Sequence, residues 1–355
     1  MTNYLLAGGG TAGHVNPLLS LADAIMAEDA GNRVWALGTR EGLEASLVPA
    51  RGYQLLTVDR LPFPRKMSAY ALSFPLRLVR AINQAKSYIR ENHIDVVVGF
   101  GGYASAPAYL AAKSLGVPIV VHEANALPGW ANKLGAKSAK AVGVTFKSTQ
   151  IDGATFVGMP LRKEIEDITD GGDVESARIG FGLDPDTVTL LVTGGSLGAK
   201  RINETIDASR KVLSAAGIQV LHIMGGRSDL PEVREKDYIR IAYCDRMDLA
   251  ILASDFAVSR AGSSTVSEFA AVGLPAVYVP YPVGNGEQML NVADLVAAGG
   301  GVMVLDAEFT ADYVAENLVP IISNSRLLKD MASKAKKAGV ADGTERLLSL
   351  VKGVL

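Results

Sequence analysis

Short hydrophobic runs recur along the chain and alternate with longer stretches in which apolar residues recur every three or four positions. The runs occupy residues 4–7, 34–37, 96–99 and 119–122 in the first half and 188–193, 220–223, 256–258 and 276–279 in the second. Because these runs are apolar throughout, they are typical of strands that are covered on both faces. Strands that alternate with helical patterns predict parallel β-α-β units, and therefore an α/β fold.

The segment after the first run predicts an amphipathic helix. Its apolar positions follow the spacing of one helical face: Leu18, Leu21, Ala22, Ile25 and Met26. A glycine loop at residues 9–13 precedes this helix, and a loop of the same form, Gly-Gly-(Thr/Ser)-x-Gly, follows the first run of the second half at residues 194–198. The repeated loop predicts two Rossmann-like domains with parallel sheets that face a central cleft.

The length of the chain also favours two domains, because 355 residues exceed what one hydrophobic core usually serves. The boundary is predicted near Gly158-Met159-Pro160. It gives an N-terminal domain at residues 1–160 and a C-terminal domain at residues 161–338. Residues 339–355 are predicted to form a helix that packs back on the N-terminal domain.

Composition narrows the class of protein. Hydrophobic residues make up 48% of the chain and charged residues 20%, which excludes a disordered protein. The net charge of -2 lacks the basic bias of proteins that bind nucleic acid. The single cysteine, Cys244, excludes an internal disulfide and a thiolate metal site and favours the cytoplasm. No signal-peptide pattern is visible, and the apolar stretch at 272–283 is too short and too rich in proline for a membrane-spanning helix.

Both glycine loops are candidate phosphate sites. Glycines between a strand and a helix let backbone N–H groups approach a phosphate, and the helix N-terminus adds partial positive charge. The alternative is that these glycines only form tight turns. Gly8-x-Gly10-x-x-Gly13 also matches the dinucleotide fingerprint, but the second strand ends at residues 37–40 without the acid that binds ribose. The sequence has no Gly-Lys-(Ser/Thr), which excludes a Walker P-loop.

His14 is the candidate general base. It directly follows the first glycine loop at the start of the predicted helix, where an imidazole can reach a hydroxyl near bound phosphates. The alternative is a histidine that only packs or hydrogen-bonds at the helix start. His93, in contrast, is predicted to lie at a solvated helix end.

A second polar group lies in the other half of the chain. Residues 259–268 follow a strand and begin a helix, which predicts a third helix N-terminus for an anion, and Glu268 is placed to accept both hydroxyls of a ribose. The alternative is that the Ser and Thr hydroxyls only cap the helix. Glu287, Gln288 and Asn291 form a further group suited to sugar hydroxyls.

The sequence gives little support for a metal ion or another cofactor. Its only Asp-x-Asp, at residues 184–186, contains a proline, lies ahead of a strand and predicts a turn. Helix N-termini and backbone amides are expected to stabilise a leaving diphosphate instead.

Residues 60–86 combine basic and apolar side chains and contain no acidic one. The basic residues are Arg60, Arg65, Lys66, Arg77, Arg80 and Lys86, and the apolar ones include Phe63, Met67, Leu72, Phe74, Leu76, Leu78 and Val79. This mixture suits the surface of an anionic bilayer, near which each cation contributes about 1 kcal/mol. The alternative is a basic helix whose apolar face joins the core.

Seven motifs follow one another in a fixed order. They are Gly9-Gly10-Thr11-Ala12-Gly13-His14-Val15-Asn16-Pro17, Gly101-Gly102-Tyr103, His122-Glu123-Ala124-Asn125, Gly158-Met159-Pro160-Leu161-Arg162, Gly194-Gly195-Ser196-Leu197-Gly198-Ala199, the stretch 259–268, and Gln288 with Asn291. Over nearly the whole chain, this series resembles the MurG family of bacterial transferases. These membrane-associated enzymes of peptidoglycan synthesis add N-acetylglucosamine to undecaprenyl-diphospho-muramoyl-pentapeptide.

The resemblance implies a GT-B fold and an inverting, metal-independent transfer from UDP-N-acetylglucosamine. The C-terminal domain would hold this donor, and the lipid acceptor would approach the N-terminal domain. His14 and Glu268 are the implied catalytic residues, His14 as the base and Glu268 at the ribose. The other implied contacts are Thr11, Ala12, Gly13 and Asn125 near the reacting sugar and diphosphates, Ser196, Ser263, Ser264, Thr265, Val266 and Ser267 at the diphosphate and sugar, Arg162 and the Cys244 backbone at the nucleotide, and Gln288 and Asn291 at sugar hydroxyls.

Three positions, Ala12, Met159 and Glu287, depart from residues that are common in the family. The resemblance also implies a peripheral position on the cytoplasmic face of the plasma membrane and partners among cell-wall or division proteins. Other functions stay open: a transferase that acts on another lipid such as a diacylglycerol, a UDP-sugar epimerase, or a non-catalytic binding module. An NADP-dependent oxidoreductase also stays open, because of the dinucleotide fingerprint and Arg40.

Overall fold

The computed structural model describes residues 1–62, 69–195, 198–226 and 228–355. The chain divides into two compact units. Unit 1 comprises Met1–Arg162 and Asp342–Leu355, and unit 2 comprises Lys163–Ala341. Within the described ranges, no helix is long and apolar enough to cross a membrane.

Unit 1 contains one sheet in which every strand pair is parallel. Its strands are β1 (Asn3–Ala7), β2 (Arg33–Gly38), β3 (Gln54–Thr57), β4 (Val96–Gly99), β5 (Ile119–Glu123), β6 (Ala141–Val144) and β7 (Thr155–Phe156), in the spatial order β3-β2-β1-β4-β5-β6-β7. Its helices are α1 (Ala12–Glu28), α2 (Glu44–Ala50), α3 (Ala69–Glu91), α4 (Ser105–Leu115), α5 (Trp130–Ala136) and a C-terminal helix, Gly343–Lys352.

The helices of unit 1 cover both faces of this sheet. On one face, the predicted apolar stripe of α1 is buried against the first strands together with Leu347 and Val351 of the C-terminal helix. On the other face, α3 and α4 bury small residues such as Ala81, Ala85 and Ala108 in a second cluster. Covering on both faces explains why the strand sequences are apolar throughout.

Unit 2 repeats this arrangement with one antiparallel edge pair, β10 with β11. Its strands are β8 (Thr189–Thr193), β9 (Gln219–Ile223), β10 (Val233–Glu235), β11 (Tyr238–Ile241), β12 (Phe256–Ser259), β13 (Ala276–Tyr278) and β14 (Gly301–Met303), in the order β10-β11-β9-β8-β12-β13-β14. Its helices are α6 (Lys163–Glu166), α7 (Val174–Phe181), α8 (Lys200–Ala208), α9 (Arg210–Ala215), α10 (Met247–Leu252), α11 (Ser263–Val272), α12 (Glu287–Ala297), α13 (Ala311–Tyr313), a π-helical turn (Val314–Leu318), α14 (Val319–Ile322) and α15 (Ser325–Ala338).

Each sheet has a point where the strand order reverses. In unit 1 the first strand, β1, lies between β2 and β4, and in unit 2 the first strand, β8, lies between β9 and β12. Ligands of open α/β sheets bind beyond the carboxyl ends of the strands at such switch points. The predicted glycine loops and residues 260–262 follow strands at these points. All eight predicted strands are present, with ends that differ from the prediction by at most one residue.

Candidate active site

The first glycine loop connects β1 to α1. Gly10 has a φ of 89°, a left-handed backbone conformation that glycine adopts without strain. Thr11 is the N-cap of α1, and no described side chain caps this helix end by a hydrogen bond. The loop therefore presents Thr11, Ala12 and Gly13 at an uncapped helix N-terminus, where the macrodipole carries partial positive charge.

His14 lies in the first turn of α1 and is half-buried. Its Nδ1 is 3.0 Å from the carbonyl oxygen of Gly9 and 3.3 Å from the hydroxyl oxygen of Thr11. Because a carbonyl oxygen only accepts hydrogen bonds, Nδ1 carries the proton. In the neutral imidazole, Nε2 then has the lone pair that a general base uses.

The loop that follows β4 packs against the first glycine loop. Gly101 and Gly102 have φ angles of 93° and 84°. A Cβ atom on Gly101 would lie 3.1 Å from Nε2 of His14, and one on Gly102 would lie 2.4 Å from the carbonyl oxygen of Gly9. The motif Gly101-Gly102 thus allows the close approach that surrounds His14 with backbone.

Glu44, at the start of α2, is a residue that sequence reasoning missed. Its side chain is 1% exposed, and its carboxylate accepts hydrogen bonds from the N–H groups of Gly10 and Thr39 at 2.7 and 2.8 Å. The hydroxyl of Thr39 donates a third, at 2.7 Å. Burial alone raises the pKa of the Glu44 carboxyl, but these hydrogen bonds outweigh burial and keep the pKa below its ordinary value. No periodicity or motif of the sequence indicates this contact.

Asn125 lies in the loop after β5, which a buried carboxylate holds in place. Glu123 accepts from the N–H groups of Asn125 and Gly129 at 2.9 and 3.0 Å, and from Nδ2 of Asn132 at 3.0 Å. Asn132 in turn accepts from the hydroxyl of Tyr109 at 2.8 Å. This network fixes the backbone that carries Asn125.

His122, in the same motif, is completely buried. Burial lowers its pKa to about 4, so that the imidazole is neutral at physiological pH. Its Nε2 donates to the carbonyl oxygen of Gly158 at 3.1 Å. His122 therefore ties β5 to the segment that leads to Arg162, the last residue of the first segment of unit 1.

In unit 2, the second glycine loop follows β8. Gly195 and Gly198 have φ angles of 84° and 82°. A Cβ atom on Gly198 would lie 2.4 Å from the carbonyl oxygen of Met224, so this loop packs closely on the loop after β9. The predicted contact Ser196 lies outside the described residues.

A series of buried, hydrogen-bonded side chains supports the packing of these two loops. Asn203 of α8 donates to the carbonyl oxygen of Met224 at 3.0 Å and accepts from Nε2 of His222 at 3.0 Å. Nδ1 of His222 accepts from the hydroxyl of Tyr238 at 2.7 Å. Burial lowers the pKa of His222 to about 3 and raises the pKa of Tyr238 to about 12, so both groups are neutral.

The N-terminus of α11 follows β12 at the switch point of unit 2. Gly262 is its N-cap and has no side chain that could cap the helix end. Ser263, Val266 and Glu268 are buried, whereas Ser264, Thr265 and Ser267 are half-buried. The hydroxyl of Ser264 is buried and has no hydrogen-bond partner among the described residues. Such a hydroxyl is a group that a bound ligand can satisfy.

The remaining predicted residues of unit 2 lie on two segments, α12 and the stretch after β11. Asn291 of α12 is 1% exposed, and its Nδ2 is 3.3 Å from the carbonyl oxygen of Ala261, which connects α12 to the loop before α11. Gln288, on the same helix, accepts from the N–H of Tyr281 at 2.9 Å. Cys244 follows β11, and burial raises the pKa of its thiol. The structure thus brings Asn291 next to the α11 loop, whereas Cys244 comes from a different strand end.

Arg260, which the sequence analysis only included in a stretch, anchors the loop before α11. Its Nη1 donates to the carbonyl oxygens of Val279 and Pro280 at 3.1 and 3.2 Å and to Asp306 at 2.6 Å.

Asp184 forms the predicted turn, because its carboxylate accepts from the N–H of Asp186 at 2.9 Å. Among the described residues, no three His, Cys, Asp or Glu side chains are close enough together to hold a metal ion.

The described part of the basic and apolar segment 60–86 fits both expectations in part, because some apolar side chains pack on the core and others are exposed as on a membrane-binding surface. Phe63, Arg65, Lys66 and Met67 lie outside the described residues. On α3, Phe74 and Leu78 pack on the core of unit 1, as expected for a core-facing helix. Leu72, Leu76 and Val79 remain 76%, 69% and 52% exposed. Arg77 and Arg80 are also exposed. This side of α3 is named the exposed α3 face.

Comparisons with known proteins agree with this architecture. The model of the glycosyltransferase family 28 N-terminal domain matches residues 4–144, and that of the glycosyltransferase family 28 C-terminal domain matches residues 189–347. A protein of Clavibacter sepedonicus is 54% identical over 353 residues, which are 99% of this chain and 96% of that protein. Its name is UDP-N-acetylglucosamine--N-acetylmuramyl-(pentapeptide) pyrophosphoryl-undecaprenol N-acetylglucosamine transferase.

Solved structures match over the whole chain as well. The crystal structure of Acinetobacter baumannii MurG superposes with a TM-score of 0.79 at 26% identity and covers 99% of this chain and 100% of that one. This match confirms the predicted GT-B fold class. A structure described as a UDP-N-acetylglucosamine 2-epimerase from Listeria monocytogenes has a TM-score of 0.70 at 13% identity, over 100% of this chain and 96% of that one, and shares the fold alone.

Proposed function

Because this chain belongs to glycosyltransferase family 28, we propose that it transfers N-acetylglucosamine from UDP-N-acetylglucosamine to undecaprenyl-diphospho-N-acetylmuramoyl-pentapeptide. The observation that carries the proposal is the alignment of 99% of this chain with a transferase of that name at 54% identity. The resemblance inferred from the seven motifs is confirmed by this alignment. Because the chain belongs to a glycosyltransferase family, the first glycine loop is no longer interpreted as the dinucleotide site of an oxidoreductase.

The proposed reaction assigns the role of the base to His14. Nε2 of His14 takes the proton of the 4-hydroxyl of the muramoyl sugar, and the hydroxyl oxygen forms a bond to the anomeric carbon of N-acetylglucosamine. The bond from that carbon to the diphosphate breaks, and UDP leaves with the electron pair. One displacement of this kind inverts the configuration and gives a β-linkage.

The developing charge on UDP requires hydrogen-bond donors. The N-terminus of α11, whose N-cap is a glycine, and the Ser264 hydroxyl, which has no partner among the described residues, support this role, and a single such donor is typically worth roughly 3 to 4 kcal/mol. Glu268 is buried on the same helix and would accept the ribose hydroxyls. The remaining assignments are Ser196 and residues 263–267 at the diphosphate, Arg162 and the Cys244 backbone at the nucleotide, and Asn125, Gln288 and Asn291 at sugar hydroxyls.

Because the proposed acceptor is a membrane lipid, the enzyme must act at a membrane surface. The exposed α3 face supports peripheral attachment of the protein to that surface. Leu72, Leu76 and Val79 present apolar side chains next to Arg77 and Arg80, a combination that binds anionic lipid. The corresponding location is the cytoplasmic face of the plasma membrane.

Transfer of labelled sugar tests the reaction. The chain is incubated with labelled UDP-N-acetylglucosamine and a soluble lipid-linked muramoyl-pentapeptide analogue in the presence of EDTA. A labelled disaccharide lipid is expected, and its formation would also establish metal independence. A diacylglycerol acceptor serves as the control. Transfer to diacylglycerol alone, or conversion of the UDP-sugar without an acceptor, contradicts the proposal.

Sedimentation with vesicles tests the membrane surface. The double variant Leu72→Gln/Leu76→Gln is expected to bind phosphatidylglycerol vesicles several-fold less than the wild type, because about 25 cal/mol per Å² of apolar contact is lost. Ile179→Gln/Leu305→Gln is the matched control, since these unit 2 residues are also exposed, at 57% and 46%. Equal binding by both variants and the wild type would exclude the exposed α3 face as the attachment site.

A further inference from the structure

One peptide bond stands between two ionisable side chains at the first glycine loop. The peptide that joins Gly9 to Gly10 accepts through its carbonyl oxygen from Nδ1 of His14 at 3.0 Å. The N–H of the same peptide donates to Oε2 of Glu44 at 2.7 Å. Because the peptide is a planar, conjugated group, it connects the imidazole to the carboxylate.

We propose that Glu44 is a positioning residue for His14 and acts on it through the Gly9–Gly10 peptide. This inference rests on the proposed function, in which His14 is the base. In catalytic triads a buried carboxylate accepts directly from the second imidazole nitrogen, holds the tautomer and stabilises the imidazolium that forms. Here the peptide is inserted between the two groups.

The coupling follows from the polarisation of hydrogen-bonded amides. When the N–H of Gly10 donates to a charged carboxylate, electron density moves toward the carbonyl oxygen of Gly9. That oxygen becomes a stronger acceptor for the Nδ1 proton of His14. The lone pair of Nε2 is thereby kept for the acceptor hydroxyl, and the positive charge that His14 gains during proton transfer is stabilised.

The surroundings hold the carboxylate of Glu44 in one position. Its Oε1 accepts from both the N–H and the hydroxyl of Thr39. Three glycines leave the space that it occupies, because a Cβ atom on Gly9, Gly38 or Gly42 would lie 2.3, 2.4 or 2.0 Å from an atom of this side chain. An anionic group that is buried and fixed in this way fits a role in orienting its neighbour better than direct contact with a ligand.

A double-mutant cycle separates this role from a purely structural one. Glu44→Gln keeps the shape of the side chain but removes its charge. We expect this variant to lower kcat about tenfold, as the loss of an outer partner of a reacting group commonly does, with the KM for UDP-N-acetylglucosamine unchanged. In a His14→Ala background the same substitution is expected to have no further effect, because Glu44 acts only through the imidazole.

The same measurement of kcat provides a control and the outcomes that would contradict the proposal. Asp23→Asn removes another carboxylate of unit 1, which accepts from Arg51 and Tyr53 at 2.9 and 2.7 Å and does not contact the loop. Its kcat is expected to equal that of the wild type. If the losses of Glu44→Gln and His14→Ala multiply, Glu44 is only structural. If His14→Ala keeps full turnover, the assignment of the base fails, and the role of Glu44 fails with it.

A measurement without substrate separates the inference from the proposed function. The chain contains four histidines, so a long-range ¹H–¹⁵N spectrum can resolve each ring. At alkaline pH, His14 is expected in the Nδ1–H form, and Glu44→Gln is expected to increase the Nε2–H fraction. An Nε2–H ring in the wild type, which needs no variant, overturns the inference. The expected spectra from a chain that transfers no sugar would instead reject the proposed function and leave the peptide-bridged pair standing.

Discussion

The two glycine loops have the same sequence pattern, yet their backbone amides have different partners. In unit 1, the N–H of Gly10 donates to the buried carboxylate of Glu44. In unit 2, the described amides donate to neutral oxygen atoms, Gly195 to the hydroxyl of Thr193 at 3.3 Å and Gly198 to the carbonyl of Gly195 at 2.9 Å.

This difference leads to different expectations for the two loops. The first loop already satisfies an internal anion, which repels a second anion nearby. It is therefore better suited to hold a side chain, His14, than a phosphate. The described part of the second loop has no such carboxylate partner, so the positive end of α8 remains suited to an external diphosphate.

The largest effect is expected at His14. His14→Ala should lower kcat about 10²- to 10⁴-fold, the usual contribution of a general base, while the affinity for the UDP-sugar stays close to that of the wild type. His93→Asn is the control, because His93 is exposed at the end of α3 with a φ of 50°, a conformation that Asn tolerates. Steady-state kinetics together with UDP-sugar titration decide the point. Unchanged turnover in His14→Ala would show that His14 is not the base, and the proposed functional difference between the two loops would then be wrong.

A matched pair of glycine substitutions sharpens the contrast. Gly102→Ala and Gly198→Ala each place a Cβ atom 2.4 Å from a carbonyl oxygen, of Gly9 and of Met224 respectively. Each is expected to destabilise its unit by about 1 to 3 kcal/mol, since both positions have a positive φ. Gly102→Ala should mainly lower kcat, because it displaces the carbonyl that orients His14, whereas Gly198→Ala should mainly raise the KM for the UDP-sugar.

Gly116→Ala and Gly217→Ala are the controls for this pair. Both glycines have positive φ angles, of 72° and 71°, but their Cβ atoms would meet no atom within 4 Å. These variants should lose stability without a change in kcat or KM. If Gly102→Ala and Gly198→Ala alter the same kinetic constant, the proposed difference between the loops is wrong.

The pH dependence of stability tests a feature that the units share. Burial lowers the pKa of His122 to about 4 and that of His222 to about 3, whereas an unfolded histidine titrates near about 6.5. As the pH falls below about 6.5, His122 and His222 bind protons in the unfolded chain but stay neutral in the folded protein. The free energy of unfolding should therefore decrease by about 1.4 kcal/mol per pH unit for each histidine, down to about pH 4.

Urea unfolding at pH values between about 4 and 7 measures this dependence. His222→Gln keeps a polar group at the position but does not titrate, so it should remove the contribution of unit 2 and leave that of unit 1. An equal slope in His222→Gln and the wild type would show that His222 does not resist protonation in the folded state.

The smallest effect is expected at Ser264. Because its buried hydroxyl has no partner among the described residues, Ser264→Ala should not lower the melting temperature of the free protein. It should weaken UDP-sugar binding about tenfold if this hydroxyl donates to the diphosphate. Ser209→Ala is the matched control in unit 2, since the hydroxyl of Ser209 donates to the carbonyl of Thr205 at 2.8 Å. Calorimetry should show lower stability but normal binding for Ser209→Ala, and normal binding by Ser264→Ala would contradict its role.

Periodicity predicted the central strands well because they are covered on both faces. Every strand next to a switch point, such as β1 and β12, is an apolar run that carries its own signal. The strands β3, β6, β7, β10, β11 and β14 were not predicted. They lie toward the sheet edges, are short, and include half-buried or exposed positions, so their sequences do not differ from loops.

The candidate site was predicted only in part. His14 and residues 259–268 became candidates because they follow a glycine loop or begin a helix, which are local patterns. Glu44 was missed because its partner Gly10 lies 34 positions earlier in the chain, and no spacing rule connects them. The exposed α3 face shows the same limit, since the sequence could not separate Leu76, which is exposed, from Leu78, which packs on the core.

The sequence by itself therefore determined the α/β class and the two glycine loops, because strand burial and helix starts leave signals within a few residues. Only the tertiary structure decided that the N–H of Gly10 in the first loop donates to the carboxylate of Glu44. This hydrogen bond depends on which segments meet at the carboxyl ends of the strands, and that meeting is set by the order of strands in the sheet.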